Sequence, residues 1–428
     1  MNVLVIGNGG REHAIIAALA KSPTVDKIYC MKGNAGIAEL AECVDVDYLD
    51  LKAVGDWVDA HKDVEYTVIA PDDPLALGLA DELESRGHRV FGPSKRAAEI
   101  ESSKSFAKNL MKKYGIPTAA YETFSDYDSA LAYIEKGKFP VVLKADGLAL
   151  GKGVLICETP EDAKAGLKQI MLDKAFGAAG NTVVVEEFLT GKEFTPGEEV
   201  SVLTFTDGKT IVPMLASCDH KRALDGDKGL NTGGMGTFTP CPFYDDEISD
   251  EVMNKILLPT VKAMNAEGRP FKGVLYFGLM RTPEGMKVVE YNSRFGDPET
   301  QVVLPMLKTD LMEIFQAVTD ERLADIDIEW ESGACVCVVL ASGGYPQSYA
   351  KGKEIIIGDL DKDVFVYHAG TKREGGVLKT NGGRVLNVCA KGKTIAEARE
   401  KAYKNVEKIH FDGMQYRKDI GIKYNAKG

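Results

Sequence analysis

VVLKADGLALGKGVLIC, residues 141–157, is the stretch that decides the fold. Its apolar ends, Val141–Lys144 and Val154–Cys157, predict two strands joined by a glycine-rich loop. A Walker P-loop needs four residues between its glycines, then Lys and Ser or Thr, then a helix. Here three residues separate the first two loop glycines, a glycine follows the lysine, and a strand comes next. We therefore expect a strand–loop–strand unit and not a P-loop.

The overall composition is that of an ordinary folded protein. Of the 428 residues, 44% are hydrophobic and 27% are charged, and the length predicts two to four domains. The net charge of −12 disfavours a nucleic-acid partner, because binding the phosphate backbone requires a basic patch. Apolar runs such as Cys335–Ala341 are too short to cross a membrane. We expect a cytoplasmic monomer without nucleic-acid or membrane partners, whose eight cysteines are buried thiols rather than bridges or metal ligands.

The first hundred residues alternate short apolar strands, such as Val3–Ile6, with amphipathic helices, such as Leu75–Arg86. That alternation predicts a doubly wound α/β domain. The first turn resembles a dinucleotide fingerprint, but Glu12 stands where the third glycine belongs and no acidic residue closes the second strand. Gly9 and Gly10 could still offer backbone N–H groups to a phosphate or carboxylate, and a plain tight turn is an equal alternative.

Three lysines stand near the glycine-rich loop, namely Lys104, Lys144 and Lys152. Lys104 occupies the first turn of a predicted helix, where a cation opposes the helix dipole. An anionic partner explains that position as well as a solvated surface does. Lys144 ends an apolar strand beside the loop, and we interpret the three lysines as phosphate clamps. Further on, the strand Thr182–Val185 leads into Glu186–Leu189, which could line an adenine slot.

The strongest local signal is a predicted hairpin whose second strand, Lys287–Asn292, carries Glu290 and Asn292 on one face. Both side chains offer hard oxygen ligands suited to Mg²⁺ between nucleotide phosphates. Arg294 and Asp297 follow directly, in a loop that contains glycine and proline. This arrangement predicts a reaction centre, and a structural ion-pair loop is the alternative.

Two further segments, Asp219–Arg222 and Asn231–Gly236, are rich in polar residues and glycine. They could present charges and N–H donors to a small anionic substrate, or they could be flexible surface loops. Beyond about Leu323 the chain becomes strand-rich and predicts a third, small α/β domain. Its last helix opens with a capping box of Thr394 and Glu397.

These segments occur in the same order in the phosphoribosylamine–glycine ligases, also called glycinamide ribonucleotide synthetases, and the chain resembles that family from Val3 to Ile422. A chance match of that length is not credible. The matching motifs are GNGGREH at Gly7–His13, GNAG at Gly33–Gly36, KADGLALGKGV at Lys144–Val154, EEFL at Glu186–Leu189, DHKR at Asp219–Arg222, NTGGMG at Asn231–Gly236, SRFGDPETQ at Ser293–Gln301, HAGT at His368–Thr371, TNGGRVL at Thr380–Leu386 and RKDIG at Arg417–Gly421.

The resemblance implies an α/β and α+β multidomain protein with an ATP-grasp fold, in which ATP lies between two α+β lobes. We expect an N-terminal doubly wound α/β domain at residues 1–101 and an ATP-grasp domain at residues 102–325. A nucleotide-binding lobe would be inserted at about residues 117–190, and a small C-terminal α/β domain would occupy residues 326–428.

The resemblance also implies a reaction. ATP, with Mg²⁺ or Mn²⁺, would phosphorylate the carboxylate of glycine, and the amine of 5-phosphoribosylamine would attack the resulting glycyl phosphate. The products would be glycinamide ribonucleotide, ADP and phosphate, in the second step of de novo purine biosynthesis. The chemistry is sound, because a carboxylate is a poor acyl donor and an acyl phosphate supplies a leaving group.

Individual residues acquire roles from the same resemblance. Lys144 and Arg294 would be catalytic, and Glu290 and Asn292 would bind the metal ion. Because the matching first strand of the hairpin is uncharged, we expect one carboxylate in the metal site. The ATP-binding set comprises Lys104, Lys144, Gly147, Gly151, Lys152, Gly153, Glu186, Glu187, Phe188, Leu189 and Glu199, with Glu193 as the alternative to Glu199 at the ribose. The substrate-binding set comprises Gly9, Gly10, Asn34, Asp219, Lys221, Arg222, Thr232, Gly233, Arg294 and Asp297.

There are two rival functions, one enzymatic and one from another class. Another ATP-grasp ligase, such as a biotin carboxylase, would need a bicarbonate or biotin site in place of the DHKR and NTGGMG segments. A catalytically silent nucleotide-binding regulator would be expected to lose Glu290, Asn292 or Arg294, and all three are present.

Overall fold

The computed structural model describes residues 1–148, 153–191 and 198–423. The chain begins with a five-stranded parallel sheet, as the alternating pattern predicts. Both faces of its first strand are buried, Val3 and Val5 in one core and Leu4 and Ile6 in another. In spatial order the strands are Glu42–Val44, Lys27–Lys32, Asn2–Gly7, Val64–Ile69 and Val90–Phe91. The helices are Gly10–Leu19, Ile37–Glu39, Leu51–Ala60, Asp72–Leu77, Leu79–Ser85 and Lys95–Ser102.

The predicted single helix Leu75–Arg86 is two helices, and that prediction was wrong. The first ends at Leu77 and the second begins at Leu79. Gly78 stands between them with a φ of 103°, a left-handed conformation that commonly ends a helix. The sequence pattern conceals the break, because buried leucines keep a four-residue spacing across it.

A small antiparallel sheet follows, and we call this part of the chain the small lobe. Val141 pairs with Cys157 and Lys144 with Val154, so the predicted strand–loop–strand unit is confirmed. Helices pack against the sheet through a core that includes Ala130 and Leu167. The strands in spatial order are Tyr121–Phe124, Val183–Glu187, Val141–Ala145 and Val154–Cys157, and the helices are Tyr127–Ile134, Pro160–Met171 and the short Gly177–Asn181.

A second antiparallel sheet, which we call the large-lobe sheet, carries the predicted hairpin. Glu290 pairs with Gly278 and Val288 with Leu279, which leaves Val289 in a bulge. The strands in spatial order are Ile211–Pro213, Glu198–Asp207, Lys272–Thr282 and Gly285–Asn292. The helices beside it are Lys104–Tyr114, Asp246–Val252, Met253–Leu257 and Leu258–Ala266, of which the first begins after the N-cap Ser103.

The C-terminal sheet is antiparallel and takes two strands from the middle of the chain. Its strands in spatial order are Cys218–Asp219, Gly236–Thr239, Ala334–Ala341, Arg384–Gly392 and Val364–His368. Three two-stranded ladders accompany it: Arg222–Leu224 with Lys228–Asn231, Ile356–Ile357 with Ile409–His410, and Thr371–Glu374 with Val377–Thr380. The remaining helices are Thr300–Val303, Leu304–Met306, Leu311–Thr319, Leu323–Asp325 and Ile395–Val406.

The last helix lacks a complete capping box. The hydroxyl of Thr394 accepts a hydrogen bond from the N–H of Glu397, as predicted. The carboxylate of Glu397, however, accepts from the N–H of Lys393 and not from that of Thr394. The reciprocal half of the predicted motif is therefore displaced by one residue.

One pair of cysteines departs from the expectation of unpaired thiols. Cys218 and Cys241 form a disulfide, with their Cα atoms 5.6 Å apart. The antiparallel strands Cys218–Asp219 and Gly236–Thr239 bring the two residues together, which their spacing in the sequence does not reveal. The other six cysteines are free thiols, five of them buried. Within the part of the chain that the structure describes, no helix is both long and apolar enough to span a bilayer.

A shared hydrophobic core joins the beginning of the chain to its C-terminal sheet. Val3 and Phe91 from the first sheet, Phe315 from a connecting helix and Cys337 from the C-terminal sheet belong to one buried cluster. The rings of Phe91 and Phe315 stack with centroids 4.0 Å apart. This core sets the first turn of the chain against the loop that follows Asn292.

Candidate functional site

A buried ion cluster lies where the small lobe meets the large-lobe sheet. Lys144 Nζ is 3.0 Å from Glu186 Oε2, and it donates a 3.0 Å hydrogen bond to the carbonyl oxygen of Val289. Lys108 Nζ approaches the same Glu186 oxygen at 3.0 Å and donates to Thr118 Oγ1 at 2.7 Å. Burial lowers the pKa of Lys108 to about 8, although Glu186 opposes the shift. Lys144 therefore lies at the junction of the small lobe and the large-lobe sheet, and its predicted role as a phosphate clamp stays a prediction.

The second oxygen of this carboxylate has no protein partner. Glu186 Oε1 is buried and accepts no hydrogen bond from the described residues. An unpaired buried carboxylate oxygen is costly, so a water molecule or a ligand should donate a hydrogen bond at that point. The adjoining Glu187 is exposed and accepts from the N–H of Ala120 at 2.9 Å, and Phe188 and Leu189 are half-buried beyond it.

Lys104 also reaches the glycine-rich loop. Its Nζ donates a 2.7 Å hydrogen bond to the carbonyl oxygen of Gly147. Burial lowers the pKa of Lys104, against the opposing charge of Glu290. At the far end of the loop, the carbonyl of Gly153 accepts from the N–H of Ala145. The predicted loop residues Gly151 and Lys152, and the ribose alternative Glu193, lie outside the described residues.

Asp146 anchors the start of the helix that carries Lys104. Its carboxylate accepts from the N–H of Ser105 at 3.1 Å, from the Ser105 hydroxyl at 2.5 Å and from the Ser103 hydroxyl at 3.2 Å. These bonds bind the helix N-terminus to the strand end that follows Lys144. The two lysines are therefore held in a fixed relationship, which a phosphate chain could bridge.

Glu290 is surrounded by cations. Lys221 Nζ lies 3.4 Å from its Oε1 and 3.4 Å from Glu199 Oε2. Burial alone would raise the pKa of Glu290, but Lys221, Lys144, Lys104 and Arg294 together hold it below its usual value. Glu290 is therefore a carboxylate at neutral pH.

Asn292 lies on the same strand, two positions beyond Glu290, opposite Tyr276. The two side chains project to one face, as the period of a strand requires. Across residues 1–148, 153–191 and 198–423, no group of three or more His, Cys, Asp or Glu side chains is arranged to hold a metal ion. A cation bound at this pair would therefore take its other ligands from nucleotide and water oxygens.

Arg294 is fixed by carboxylates from an earlier part of the chain. Its Nη2 lies 3.0 Å from Glu101 Oε1 and 4.0 Å from Asp72 Oδ2. The Nη1 donates to the carbonyl oxygen of Phe295 at 3.2 Å. Its Nε is buried without a protein partner in the described chain. Arg294 is thus held in a fixed orientation, and its Nε–H is left to donate to a ligand.

Asp297 joins the loop Ser293–Gln301 to the NTGGMG segment, Asn231–Gly236. Arg384 Nη1 lies 3.3 Å from Asp297 Oδ1 and donates to the carbonyl oxygens of Asp297 and Gly233, each at 2.9 Å. The amide of Gln301 donates to Asp297 Oδ1 at 2.7 Å. Although burial opposes it, Arg384 and Arg11 hold the pKa of Asp297 below its usual value.

Asp219 lies in a narrow pocket with Lys221, Glu199 and Tyr276. Burial raises the pKa of Asp219 to about 7, and the nearby charges of Glu299 and Glu199 add to that shift, although Lys221 opposes it. An acidic group that titrates near neutral pH can accept or release a proton during a reaction. The geometry therefore gives this pocket both a cation and a titratable carboxyl.

Thr232 and Arg222 support the pocket in different ways. Thr232 donates through its N–H and its hydroxyl to the carbonyl oxygen of Lys221, at 2.7 and 2.8 Å. Arg222 Nη1 donates instead to the carbonyl oxygen of Gly229, inside the two-stranded hairpin that it begins. Thr232 thus holds the cationic residue at its backbone, whereas the guanidinium of Arg222 is directed along the hairpin.

In the first turn of the chain, the predicted substrate donor Gly9 has a partner within the protein. The N–H of Gly9 donates to Glu12 Oε2 at 2.6 Å, which explains why a carboxylate stands in place of the third fingerprint glycine. A Cβ atom on Gly10 would lie 2.5 Å from the amide nitrogens of Asn387 and Gln301. Gly10 is therefore needed for close packing against the C-terminal sheet.

Asn34 makes four hydrogen bonds to backbone atoms. Its Nδ2 donates to the carbonyl oxygens of Asn8 and His368 at 2.9 and 2.8 Å. Its Oδ1 accepts from the N–H groups of Gly36 and Ile37, each at 3.0 Å. The side chain predicted to bind substrate therefore ties the first sheet to the C-terminal sheet.

Sequence reasoning missed three residues of the site, namely Glu101, Lys108 and Arg384. Each is a charged side chain with little exposure that meets a predicted site residue from a distant part of the chain. Lys108 carried a local signal, because it lies one helical turn after Lys104 on the same face. Glu101 and Arg384 carried no such local signal.

Comparison with known proteins gives consistent matches along the chain. Family models described as the N domain, the ATP-grasp (A) domain and the C domain of phosphoribosylglycinamide synthetase match residues 1–101, 102–300 and 335–423. A Caldanaerobacter subterraneus protein named phosphoribosylamine–glycine ligase is 47% identical over 424 residues, covering 99% of this chain and 100% of its own length. A Halalkalibacterium halodurans protein of the same name is 48% identical over 100% of this chain and 98% of its own.

Solved structures agree with these matches. The crystal structure of phosphoribosylamine–glycine ligase from Thermotoga maritima superposes with a TM-score of 0.81 at 35% identity, covering 98% of this chain and 100% of that one. The biotin carboxylase domain of Hydrogenobacter thermophilus 2-oxoglutarate carboxylase, solved with MgADP, has a TM-score of 0.75 at 16% identity, covering 97% and 91%. That second likeness shows the fold alone.

Proposed function

The chain belongs to the phosphoribosylglycinamide synthetase family, and from that premise we propose that it joins glycine to 5-phosphoribosylamine, giving glycinamide ribonucleotide, ADP and phosphate. It is an ATP-dependent ligase of purine biosynthesis built on an ATP-grasp fold. The identity of the two substrates and the roles of individual residues are the content of the proposal.

One observation carries the proposal. Glu290 lies among four cations that come from four separate parts of the sequence, namely Lys104, Lys144, Lys221 and Arg294. A triphosphate beside this carboxylate would meet the lysines, and an acyl phosphate would meet the arginine. That is the charge pattern that phosphoryl transfer to a carboxylate requires.

Nucleotide binding follows from the small lobe. In the proposal Lys104 and Lys144 bind the phosphates, and the loop from Gly147 to Gly153 covers them. The unpaired Oε1 of Glu186 accepts a hydrogen bond from the adenine amino group. Glu187, Phe188 and Leu189 would line the base, Glu199 would bind the ribose, and Gly151 and Lys152 would belong to the loop.

The metal site consists of Glu290 and Asn292 in this proposal. The anionic state of Glu290 and the shared face of the two side chains fit Mg²⁺, or Mn²⁺, with one protein carboxylate. Such an ion, when bound, neutralises charge on the phosphates. Arg294, oriented by Glu101, would stabilise charge on the phosphoryl group as it passes to glycine.

The substrate pocket accounts for the remaining residues. Asp219, with a pKa raised by burial to about 7, would take the proton from the attacking amine of 5-phosphoribosylamine. Lys221 and Arg294 would bind the glycyl phosphate that this amine attacks, which releases phosphate. The other substrate-binding residues in the proposal are Gly9, Gly10, Asn34, Arg222, Thr232, Gly233 and Asp297.

The proposal extends to domain boundaries and setting. It assigns the N-terminal domain to residues 1–101, the ATP-grasp domain to residues 102–325 with its small lobe at about 117–190, and the C-terminal domain to residues 326–428. It places the protein in the cytoplasm as a monomer.

A substrate-dependence experiment tests the function. Purified protein is incubated with ATP, Mg²⁺, glycine and freshly prepared phosphoribosylamine, and phosphate release is followed while each component is omitted in turn. We expect release only with all four, and formation of glycinamide ribonucleotide in equal amount. Release that does not depend on glycine, or that occurs equally with bicarbonate in its place, would overturn the proposal.

A further inference from the structure

The hairpin at residues 222–231 projects from the protein with little apolar packing. Its strands, Arg222–Leu224 and Lys228–Asn231, form a separate two-stranded ladder. Leu224 and Leu230 are 57% and 51% exposed. A ladder of two short strands is marginally stable in water on its own. Something other than a hydrophobic core must therefore fix the hairpin in place.

Arg417 supplies that fixation from near the other end of the chain. It heads the fully buried side chains of the protein by volume, with 1% of its surface exposed. Its Nε and Nη2 donate to the two oxygens of Asp419, at 2.8 and 2.6 Å. Burying a guanidinium is costly unless its donors are paired, so the geometry of this bidentate pair is strongly constrained.

The remaining edge of the guanidinium binds the hairpin at two points. Arg417 Nη1 donates to Asp227 Oδ1 at 2.9 Å, across 190 positions of sequence, and to the carbonyl oxygen of Arg222 at 3.1 Å. The first contact is in the turn of the hairpin and the second is at its base. One side chain therefore fixes both the tilt and the distance of the hairpin.

Reciprocal backbone bonds reinforce the contact. The N–H of Gly226 donates to Asp419 Oδ2 at 2.9 Å, and the N–H of Lys418 donates to Asp225 Oδ1 at 2.7 Å. The turn and the C-terminal segment thus each supply a carboxylate that accepts a backbone N–H of the other. We call the set Asp225, Asp227, Arg417 and Asp419 the hairpin clamp.

The hairpin leads directly into the substrate pocket. Lys221 precedes its first strand, and Thr232 follows its second strand and donates twice to the Lys221 carbonyl. The ammonium group of Lys221 lies between Glu199 and Glu290. A shift of the hairpin would therefore move the cation that faces both carboxylates, while Lys104 and Lys144 stay on other elements.

We propose that the hairpin clamp is a positioning device for the substrate pocket, and that Arg417 is a positioning residue for Lys221 and Arg222. The inference rests on the proposed function for the identity of the substrates. Loosening the clamp weakens binding of glycine and phosphoribosylamine much more than it weakens binding of ATP, because the phosphate lysines Lys104 and Lys144 lie on other elements. Arg417 itself contacts no reacting atom.

The first test replaces Arg417 with Met and with Lys and measures tryptic cleavage at Lys228, an exposed residue of the hairpin. We expect cleavage of Arg417→Met to accelerate by roughly tenfold or more, since local opening costs less free energy. Arg417→Lys keeps the charge but loses the bidentate geometry, so its cleavage rate should fall between those of the wild type and Arg417→Met. Arg373→Met is the matched control, because Arg373 is an exposed arginine paired with Glu39.

The second test compares Michaelis constants for the same variants. We expect the KM for glycine or phosphoribosylamine to rise by roughly tenfold in Arg417→Met, equivalent to ~1.4 kcal/mol, with the KM for ATP changed by less than about twofold. An equal rise in all three constants, or wild-type cleavage and constants, would overturn the proposal. The proteolysis result does not depend on the reaction, so it separates this proposal from the proposed function.

A milder variant covers the case in which Arg417→Met does not fold. Asp225→Ala removes only the acceptor of the Lys418 N–H in an exposed turn. It should raise both the cleavage rate at Lys228 and the KM for glycine or phosphoribosylamine, each by a smaller factor than Arg417→Met does. Wild-type behaviour of this variant would contradict the clamp.

Discussion

Glu101 holds Arg294 in position, with Glu101 Oε1 3.0 Å from Arg294 Nη2. The other carboxylate oxygen accepts 2.8 Å hydrogen bonds from both the N–H and the hydroxyl of Ser293, 192 positions later in the chain. Glu101 therefore fixes the backbone at Ser293 and the side chain of Arg294 together. An arginine that must meet a short-lived phosphoryl group benefits from such preorganisation.

Replacing Glu101 with Gln should lower kcat by about 10- to 100-fold, because the amide keeps the shape but leaves Arg294 without its close charged partner. The KM for ATP should change little, since the nucleotide lysines are untouched. Steady-state kinetics with saturating glycine measure both constants. Glu99→Gln, on the same helix but more exposed and paired with Arg269, is the control and should retain wild-type kcat. Equal losses in both variants would contradict the role of Glu101.

Replacing Glu290 with Gln should abolish phosphate release to below about 1% of wild type, since the amide is a poor ligand for a hard divalent ion. Binding of Mn²⁺ in the presence of ATP, followed by electron paramagnetic resonance, should weaken in parallel. Glu284→Gln is the control, because Glu284 lies on the turn of the same hairpin and is 70% exposed. Unchanged Mn²⁺ binding in Glu290→Gln would refute the metal role.

Replacing Lys108 with Met should weaken ATP binding by roughly tenfold, because Glu186 then loses one of two cations. Burial lowers the pKa of Lys108 to about 8, so this cation is present below pH 8 and is lost as the pH rises through that value. Wild-type ATP affinity should therefore fall between pH 7 and 9.5, and equilibrium nucleotide binding measures it. If Lys108→Met showed the same fall in ATP affinity with pH, deprotonation of Lys108 could not be its cause. Lys112→Met, exposed on the same helix, should behave as wild type.

Replacing Asn34 with Ala should lower the free energy of unfolding by about 2–4 kcal/mol, because four hydrogen bonds are lost at a partly buried junction. Denaturant unfolding measures this change. Because the proposal also places Asn34 in the substrate site, the KM for glycine or phosphoribosylamine should rise by more than about twofold. A loss of stability with unchanged KM values would contradict substrate binding and leave Asn34 a structural role. Asn254→Ala removes a single exposed hydrogen bond and serves as the control.

Replacing Asp219 with Asn should stabilise the protein at pH 8. Burial raises the folded-state pKa of Asp219 to about 7, above its value near 4 in the unfolded chain. The folded state therefore binds the extra proton between about pH 4 and 7, and stability is lost as the pH rises through that window. The variant should exceed the wild type by a few kcal/mol at pH 8, with the difference shrinking towards pH 4. Thermal unfolding at both values checks the sign.

The exposed Asp128 offers a matched control for the pH experiment. Asp128→Asn should differ from wild type by less than about 0.5 kcal/mol at either pH, as surface substitutions usually do. A stability gain for Asp219→Asn that is equal at pH 4 and pH 8 would contradict titration of a buried carboxyl. Loss of activity without any stability gain would show that Asp219 is not strained in the folded protein.

Local patterns predicted the local structure. The strands around the glycine-rich loop and the hairpin that carries Glu290 were readable, because apolar runs and turn residues determine them over a few positions. The position of Lys144 beside the loop was readable on the same basis, since it ends an apolar strand, and its role at a phosphate stays a prediction. The helix break at Gly78 could not, because the apolar spacing continued across it.

Contacts between distant segments were beyond the sequence. Glu101 gave no sign of its arginine, and Asn34 meets His368 across 334 positions. Glu12 was interpreted only as a missing glycine, whereas its carboxylate accepts the N–H of Gly9. The Gly9–Glu12 contact is local, within one turn, whereas the other two pairs form because tertiary packing brings distant parts of the chain together. No periodicity within one segment encodes that approach.

The pocket proposed to bind substrate crosses a boundary between two sheets. Asp219 lies on the C-terminal sheet, whereas Glu290 lies on the large-lobe sheet. The strand Gly236–Thr239, which supports Asp219, is itself paired with Ala334–Ala341. A fragment trimmed to its nucleotide-binding half would therefore lose the backing of its own acceptor site, and chimaeras between relatives should be joined so that both sides of this seam come from one parent.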